Sequence, residues 1–287
     1  MSKKTILITG VTGYLGSHLA KYWFSQGHSI VALKRSKSDT SRLKGIISQI
    51  NIYNIDETDV SSIMNRHTID VVIHAATSYG RKQESLVDLI MSNVVFPVDL
   101  LENSISAGIK HFINIDTSLR KSVNAYSLSK GMFRDVLLGN DKINVLNVEL
   151  QYFYGPDDSD WKFITHVYTQ LLKRAPEIKF TSGKQKRDFI YIDDVVNAFD
   201  VLLNEIDRIK TNSSIEIGSG SPVSIKETAC LIMELLDNRK SVLNFGAIQD
   251  RKSEDLEMYA DTSYLESLGW KPRYSLREGL NKIIRKE

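Results

Sequence analysis

At 287 residues, 42% of them hydrophobic, the chain can bury a large core as one domain or as two closely joined ones. Its 37 basic and 35 acidic side chains nearly cancel, which excludes a global field for nucleic acid or a membrane surface. The lone cysteine, Cys230, excludes an internal disulfide framework and fits a reducing cytoplasm; it lies in the apolar-periodic stretch 224–236 and is expected in the core.

The first expected strand, 5–9, carries the buried-type run Ile6-Leu7-Ile8 and leads into glycines at 10, 13 and 16. Gly10 allows a tight turn, Gly13 a close backbone approach to a pyrophosphate, and Gly16 close packing of the next helix on the sheet. That helix, 14–26, offers phosphates its free N–H groups and its positive dipole end. Strands follow at 29–34, 51–55, 71–74, 111–115 and 145–150, with helices at 60–66, 85–107 and 124–138. Gly27 and Gly108 sit just past helix ends, where a left-handed cap is common. The alternation predicts an α/β fold with a doubly wound, Rossmann-like parallel sheet. After Tyr154-Gly155-Pro156 a polar loop leads to a helix at 161–174, and short strands and helices follow. These form a smaller C-terminal α/β substrate lobe, 151–186 and 205–287, while a strand and helix near 187–204 return to the 1–150 domain. The ligand is expected in the crevice between them, at the carboxyl ends of the strands. No apolar run approaches about 18 residues and the N-terminus enters a strand directly, so neither a transmembrane segment nor a signal peptide is expected. The six histidines lack metal-ligand spacing, so no metal is expected.

Tyr126 and Lys130 stand four apart, so one helical face presents both. A phenol beside an ammonium is a proton donor, and its pKa is expected to be lowered. The second strand ends at Lys34, Arg35 and Ser36, where an NAD-dependent protein would place a carboxylate for the ribose 2′-hydroxyl. This set can grip a phosphate instead, which favours NADPH over NADH; the alternative is a solvated basic loop.

Together these residues resemble the extended short-chain dehydrogenase/reductases, in particular the nucleotide-sugar branch. The marks are Thr9-Gly-Val-Thr-Gly-Tyr-Leu-Gly16, Asp56-Glu-Thr-Asp59, His74-Ala-Ala76, Asn93, Thr117, Tyr126-x-x-x-Lys130, Tyr154-Gly-Pro156, the stretch from Arg187 to Asp194 and Leu268-Gly-Trp-Lys-Pro272. The C-terminal half looks most like CDP-abequose and CDP-paratose synthases, C4 reductases of CDP-4-keto-3,6-dideoxyglucose, on Thr181–Phe189, Asn244–Ile248 and Ser78–Arg81. The resemblance implies an NADP(H) site formed by Gly10, Thr12, Gly13, Tyr14, Leu15, Gly16, Lys34, Arg35, Ser36, Asp56, Ala75, Ala76 and Asn93, together with Tyr126 and Lys130. Asp56 corresponds to an adenine contact, with a turn or capping role as the alternative.

The same resemblance implies that Thr117 hydrogen-bonds the substrate carbonyl and the Tyr126 hydroxyl, that Lys130 binds the nicotinamide ribose, and that Tyr126 protonates the developing alkoxide. Arg187 and Arg251 would hold the diphosphate of a nucleotide-sugar substrate, with Tyr79, Arg81, Tyr152 and Lys162 as further substrate contacts. Arg187 could instead pair with Asp188 or Asp194, and Lys162 could lie on a solvated helix face. Glu149 and Tyr152 stand where relatives often have arginine and asparagine. Thr117-Ser118-Leu119 lacks the Asp-Glu pair that sugar 4,6-dehydratases carry after that threonine. A nucleotide-sugar 4-epimerase and a non-catalytic NADP-binding sensor remain as alternatives to a reductase. Helices 85–107 and 124–138 resemble the pair through which family members form homodimers; apolar Leu86, Leu89, Ile90, Val94, Leu100 and Leu101 exceed one buried face, unless all of them pack within the subunit.

Overall fold

Runs of β-branched and leucine side chains, buried on both faces, build the central sheet of the computed structural model, which describes residues 3–81, 83–210, 212–250 and 255–285. The chain divides into two compact units, Met1–Glu149 with Phe199–Ile215, and Leu150–Ala198 with Glu216–Glu287. The first unit contains β1 (Thr5–Thr9), α1 (Tyr14–Ser25), β2 (Ser29–Lys34), β3 (Asn51–Asn54), α2 (Val60–Met64) and β4 (Val71–His74). After β4 come α3 (Leu86–Ile90), a π-helical turn (Met91–Val95) and α4 (Phe96–Ser106), then β5 (His111–Thr117), α5 (Ala125–Leu138) and β6 (Asn144–Leu150).

The sheet runs β3-β2-β1-β4-β5-β6 and ends on a late strand, Ser213–Ile217. β1 is parallel to both β2 and β4, with Ile6 opposite Ile30 and Val71. The strand order therefore reverses direction at β1 and β4, and a ligand crevice opens beyond the carboxyl ends of strands at such a switch point. Leu7, Val31, Val72 and Phe112 join Ile63, Leu100, Leu101, Phe133 and Leu137 in one core cluster. Ile6, Ile8 and Ile73, at the alternate positions, are also fully buried. The fold is thus the doubly wound α/β sheet that the alternation of strands and helices predicts.

Two local differences arise from packing. The helix expected over 85–107 is broken by the π turn, which turns Asn93 inward. Of its six apolar residues, Leu89, Leu100 and Leu101 are buried, whereas Leu86 is exposed.

The second unit holds β7 (Tyr152–Tyr154), α6 (Phe163–Leu172), β8 (Glu177–Phe180), β9 (Lys186–Tyr191) and the start of α7 (Ile192–Asn204). The late strand, β10 (Ser213–Ile217), leads back to β11 (Pro222–Ser224), α8 (Ile225–Leu235), β12 (Val242–Phe245), β13 (Glu257–Met258), α9 (Ser263–Ser267) and α10 (Leu276–Arg285). The segment 187–204 does not return a strand to the large sheet. β9 is enclosed by β7, β11 and β13, which take its backbone hydrogen bonds, and β10 supplies the returning strand. The end of α7 belongs to the first unit, where Trp23 Nε1 and the Tyr22 hydroxyl donate to Asp200 at 3.2 and 3.3 Å. Cys230 is exposed, not in the core: α8 buries Ile225, Thr228, Ala229 and Ile232, and the next position along turns outward. No described helix is long and apolar enough to cross a membrane.

Candidate active site

The turn after β1 is shaped by close backbone approach. Gly10 has φ +65°, and a Cβ there would lie 2.6 Å from the Ala76 nitrogen and 2.7 Å from the Ala75 carbonyl. A Cβ on Gly16 would lie 2.3 Å from the Gly10 oxygen, so α1 can start against the turn only if this residue is glycine. The Thr9 hydroxyl clamps the neighbouring strand end, accepting from Ala76 N at 3.2 Å and bonding His74 Nδ1 at 2.9 Å. α1 begins at Tyr14 with Gly13 at its N-cap, and among the described residues no side-chain hydrogen bond caps it. Its first turn, with Tyr14 and Leu15, therefore starts directly after Thr12 and the glycine turn, an arrangement that fits a pyrophosphate.

Beyond β2, the geometry alters part of the expectation. Ser36 gives both its N–H and its hydroxyl to the Asp56 carboxylate, at 2.8 and 2.5 Å. Those bonds, the hydroxyl's above all, hold Asp56 below the usual carboxylate range. Asp56 is thus the tie that shapes the 34–37 loop, and both Ser36 donors are engaged by it. Lys34 Nζ folds over the carbonyls of Arg35 and Ser36 at 3.2 Å each, while the Arg35 side chain is exposed. Arg42, passed over in the sequence, places its guanidinium 5.1 Å from the centre of the Tyr14 ring. A cation a few residues beyond the second strand was the available signal.

The catalytic candidates converge in the first unit. Thr117 is the last residue of β5, and its side chain acts on the Tyr126 phenol, favouring the ionised form. Asn124 caps α5 through Ser127 N at 2.8 Å, fixing where the helix begins and hence where Tyr126 points. Lys130, one turn on and fully buried, donates to the Ile115 carbonyl at 2.7 Å. Burial lowers its pKa, and Asp116 partly offsets this. Tyr126 departs from expectation: its pKa is raised well above the ordinary tyrosine value, by desolvation first and then by Tyr79 and Asp116. The hydroxyls of Thr117 and Thr77 counter this in part. Lys130 points at the Ile115 carbonyl, so the phenol lacks the lowered pKa that four-residue spacing suggests.

Thr77 was missed in the sequence; it follows His74-Ala-Ala76 and reaches the phenol from the β4 end. Tyr79 stacks near Tyr126 with ring centroids 5.0 Å apart, and Arg81 on the same loop is exposed. Asn93 braces this loop. Its Oδ1 accepts from Ser78 N at 2.8 Å and Thr77 Oγ1 at 3.2 Å; its Nδ2 donates to Ser78 O at 2.8 Å and Ser129 Oγ at 3.0 Å. Those four bonds use the whole hydrogen-bonding capacity of a primary amide. Asp116, Arg134 and Glu149 form a charged chain behind the site: Arg134 Nε lies 2.5 Å from Asp116 Oδ2 and Nη1 lies 3.3 Å from Glu149 Oε1. Local motif reading misses it because its members lie 18 and 15 positions apart.

In the second unit, Arg187 is 3% exposed and donates from Nη1 to the carbonyls of Lys186 and Asp255, at 2.7 and 2.9 Å. Its Cζ lies 5.9 Å from the centre of the Tyr152 ring, which meets Phe189 edge-on. The aspartates weighed as its partners are held by other groups. Asp188 accepts from Ser219, Gly220 and Ala260 backbone nitrogens, and Asp194 from Tyr274 N and Arg273 Nε. Lys162 does not lie on a solvated helix face. It precedes α6, pairs with Asp158 at 2.9 Å and lies over the Phe153 ring at 3.4 Å. Arg251 lies outside the described residues.

A family model described as the NAD dependent epimerase/dehydratase family matches residues 6–218. CDP-abequose synthase of Salmonella muenchen is 33% identical over 291 residues, spanning 98% of this chain and 97% of the relative. The Salmonella typhimurium protein of that name is 29% identical over 298 residues, spanning 99% and 98%. The crystal structure of Thermotoga maritima UDP-glucose 4-epimerase with UDP-glucose shares the fold, with TM-score 0.84 at 22% identity over 98% of this chain and 99% of that one.

Proposed function

Because the chain belongs to the NAD dependent epimerase/dehydratase family, we propose that it is an NADPH-dependent reductase of the C4 ketone of a nucleotide-diphospho-4-keto-6-deoxy or 3,6-dideoxy hexose. Its setting is cytoplasmic synthesis of sugars for a bacterial surface polysaccharide. The observation that carries the reading is the buried Tyr126 phenol, which stands beside Tyr79, is acted on by Thr117 and Thr77, and with its pKa raised by burial keeps its proton at neutral pH. The nearly full-length likeness to CDP-abequose synthases supports a CDP-linked substrate.

NADPH bound at the Gly10–Gly16 turn would supply a hydride to the sugar C4. Tyr126 then gives its proton to the oxygen that takes the carbonyl electron pair, while Thr117 orients both oxygens. Lys130 has two N–H donors beyond the one on Ile115, and these would serve the ribose hydroxyls of the bound cofactor. Thr77 and Asn93 keep the Ala75–Tyr79 segment in place, and Tyr79 and Arg81 contact the sugar. Arg187, with Arg251, Tyr152 and Lys162, binds the diphosphate and base. The reading is tested by nicotinamide oxidation against a panel of CDP- and dTDP-linked 4-keto sugars. Consumption of one NADPH per ketone reduced supports it, and binding without turnover on every member refutes it. The second reading, a 4-epimerase that retains NAD, draws on Asp56, since a carboxylate bonded to Ser36 is the kind of group that accepts ribose hydroxyls.

Cofactor choice is read through Arg35 and Lys34, with Arg42 as a third cation. Arg35→Asp is expected to move the kcat/KM preference from NADPH toward NADH by removing a phosphate ligand and adding repulsion. Wild-type kcat/KM values that are equal for the two cofactors would detach this segment from the 2′ position.

A homodimer is also proposed. Leu128, Met132 and Val136 form an exposed apolar row along α5, and Leu86, Val87, Met91 and Val95 are exposed on α3 and the π turn that follows it. Light scattering at micromolar concentration should give twice the 32.5 kDa chain mass, and Met132→Glu should return it to the monomer. A wild-type mass of one chain would refute the pairing.

A further inference from the structure

We infer that Arg134 is a positioning residue for this reduction: it neutralises the buried Asp116 carboxylate, holds the backbone of Thr117, and so sets the orientation and field of the Thr117–Tyr126 pair. The inference rests on the functional reading above, because it takes Tyr126 as the proton donor.

The geometry closes a ring around Thr117. Asp116 Oδ1 accepts from Thr117 N at 2.8 Å, Asp116 Oδ2 accepts from Arg134 Nε at 2.5 Å, and Arg134 Nη2 donates to Thr117 O at 3.3 Å. Both backbone polar groups of the threonine are thereby fixed, and its hydroxyl is the one that meets the phenol. The Asp116 side chain is wholly shielded from solvent, and a buried carboxylate without its cation is costly. Glu149 faces Arg134 from β6, its Oε1 3.3 Å from Nη1, and is the guanidinium's second charge contact. Arg134 also follows Tyr126 and Lys130 along α5 at four-residue steps, so the three share a face.

The groups facing Tyr126 come from several elements. Tyr79 and Thr77 act on it from the segment after β4 and Asp116 and Thr117 from β5, while Lys130 and Arg134 stand at the next turns of its own helix, coupled to Asp116. His74 on β4 lies by Lys130, and Glu149 stands behind Arg134. Among these, the Asp116 charge raises the pKa of both the phenol and the Lys130 ammonium, and Arg134 lowers that of the ammonium. Asp116 and Arg134 therefore act on the site with opposite sign.

That opposition gives the test. Oxidation of the CDP-sugar alcohol by NADP⁺ needs the phenolate, so its rate rises with pH through the Tyr126 titration. Asp116→Asn should move this limb to lower pH, and Arg134→Met to higher pH, each by about one unit. Arg134→Lys should stay near wild type. The KM for NADP⁺ should not change in any of them. Shifts in the same direction, or no shift, would overturn the inference, since loss of packing alone does not produce opposite displacements. Should Arg134→Met fail to fold, the double variant D116N/R134M, which buries no lone carboxylate, is expected to fold and to titrate above Asp116→Asn and back near wild type, because the two displacements oppose each other. Failure of the double variant to do so counts against the inference equally. Tyr126→Phe identifies the titrating group: a limb that survives it overturns the functional reading, whereas one that vanishes with it but is unmoved by Asp116→Asn and Arg134→Met overturns the role of Arg134 alone.

Discussion

Tyr126→Phe is expected to lower reductive turnover by about 10²–10⁴-fold, the usual loss when general acid catalysis is removed. The fold and NADPH binding should remain nearly intact, because the ring stays beside Tyr79 and the dinucleotide phosphates would rest on the Gly10–Gly16 turn. Only the hydroxyl, on which the Thr117 and Thr77 side chains act, is lost. A variant keeping more than about a tenth of the wild-type rate would remove the tyrosine from the mechanism. The same geometry fixes a pH dependence. Reduction needs the protonated phenol, and burial with Tyr79 and Asp116 holds its pKa above the ordinary value. Reductive kcat should therefore show no fall between neutrality and the ordinary tyrosine pKa of about 10. A fall centred near pH 8 would mean that the bound cofactor and Lys130 reverse the effect of burial.

Arg187→Ala is expected to act on the other ligand. If the guanidinium holds the diphosphate, the contact lies away from the reacting carbon and its loss mainly raises the nucleotide-sugar KM. A charge-assisted, buried contact of this kind contributes on the order of 2–4 kcal/mol, roughly 30- to 1,000-fold in kcat/KM. The structural alternative has shifted. Asp188 and Asp194 are held by other groups, so a scaffolding role would run through the Lys186 and Asp255 carbonyls that Arg187 binds. A variant that melts normally, binds NADPH normally and fails to hold CDP supports the clamp. One that melts early and binds both ligands poorly supports the scaffold.

The parts legible in the sequence are those carried by short-range spacing. The glycines at 10, 13 and 16 mark the turn because backbone sterics act over a few residues, and the structure makes Gly10 and Gly16 indispensable to it. Tyr126 and Lys130 are paired by helix geometry, and Thr117 by its place at the end of β5. What escaped reading depends on contacts between distant segments. Asn93 resembles a cofactor ligand by position, but a π turn aims its amide at Ser78, Thr77 and Ser129. Asp56 resembles an adenine contact, yet its bonds run 20 positions back to Ser36. The raised pKa of Tyr126 arises from burial and from Asp116, neither of which helical spacing contains. Cys230 was misplaced for a simpler reason: an apolar stretch shows that a helix has a buried face, and one step of the helix decides which residues share it.

Hydride delivery to the sugar C4 with net consumption of NADPH is what separates a C4 reductase from an epimerase. Turnover of CDP-4-keto-3,6-dideoxyglucose with NADPH deuterated at the transferable nicotinamide C4 position tests it most directly. One deuterium should appear at C4 of the product alcohol for each NADPH oxidised, and Tyr126→Phe should suppress label transfer and oxidation together. Unlabelled product, or inversion of a 4-hydroxy sugar at C4 without loss of reduced cofactor, would contradict the claim and identify the chain as an epimerase.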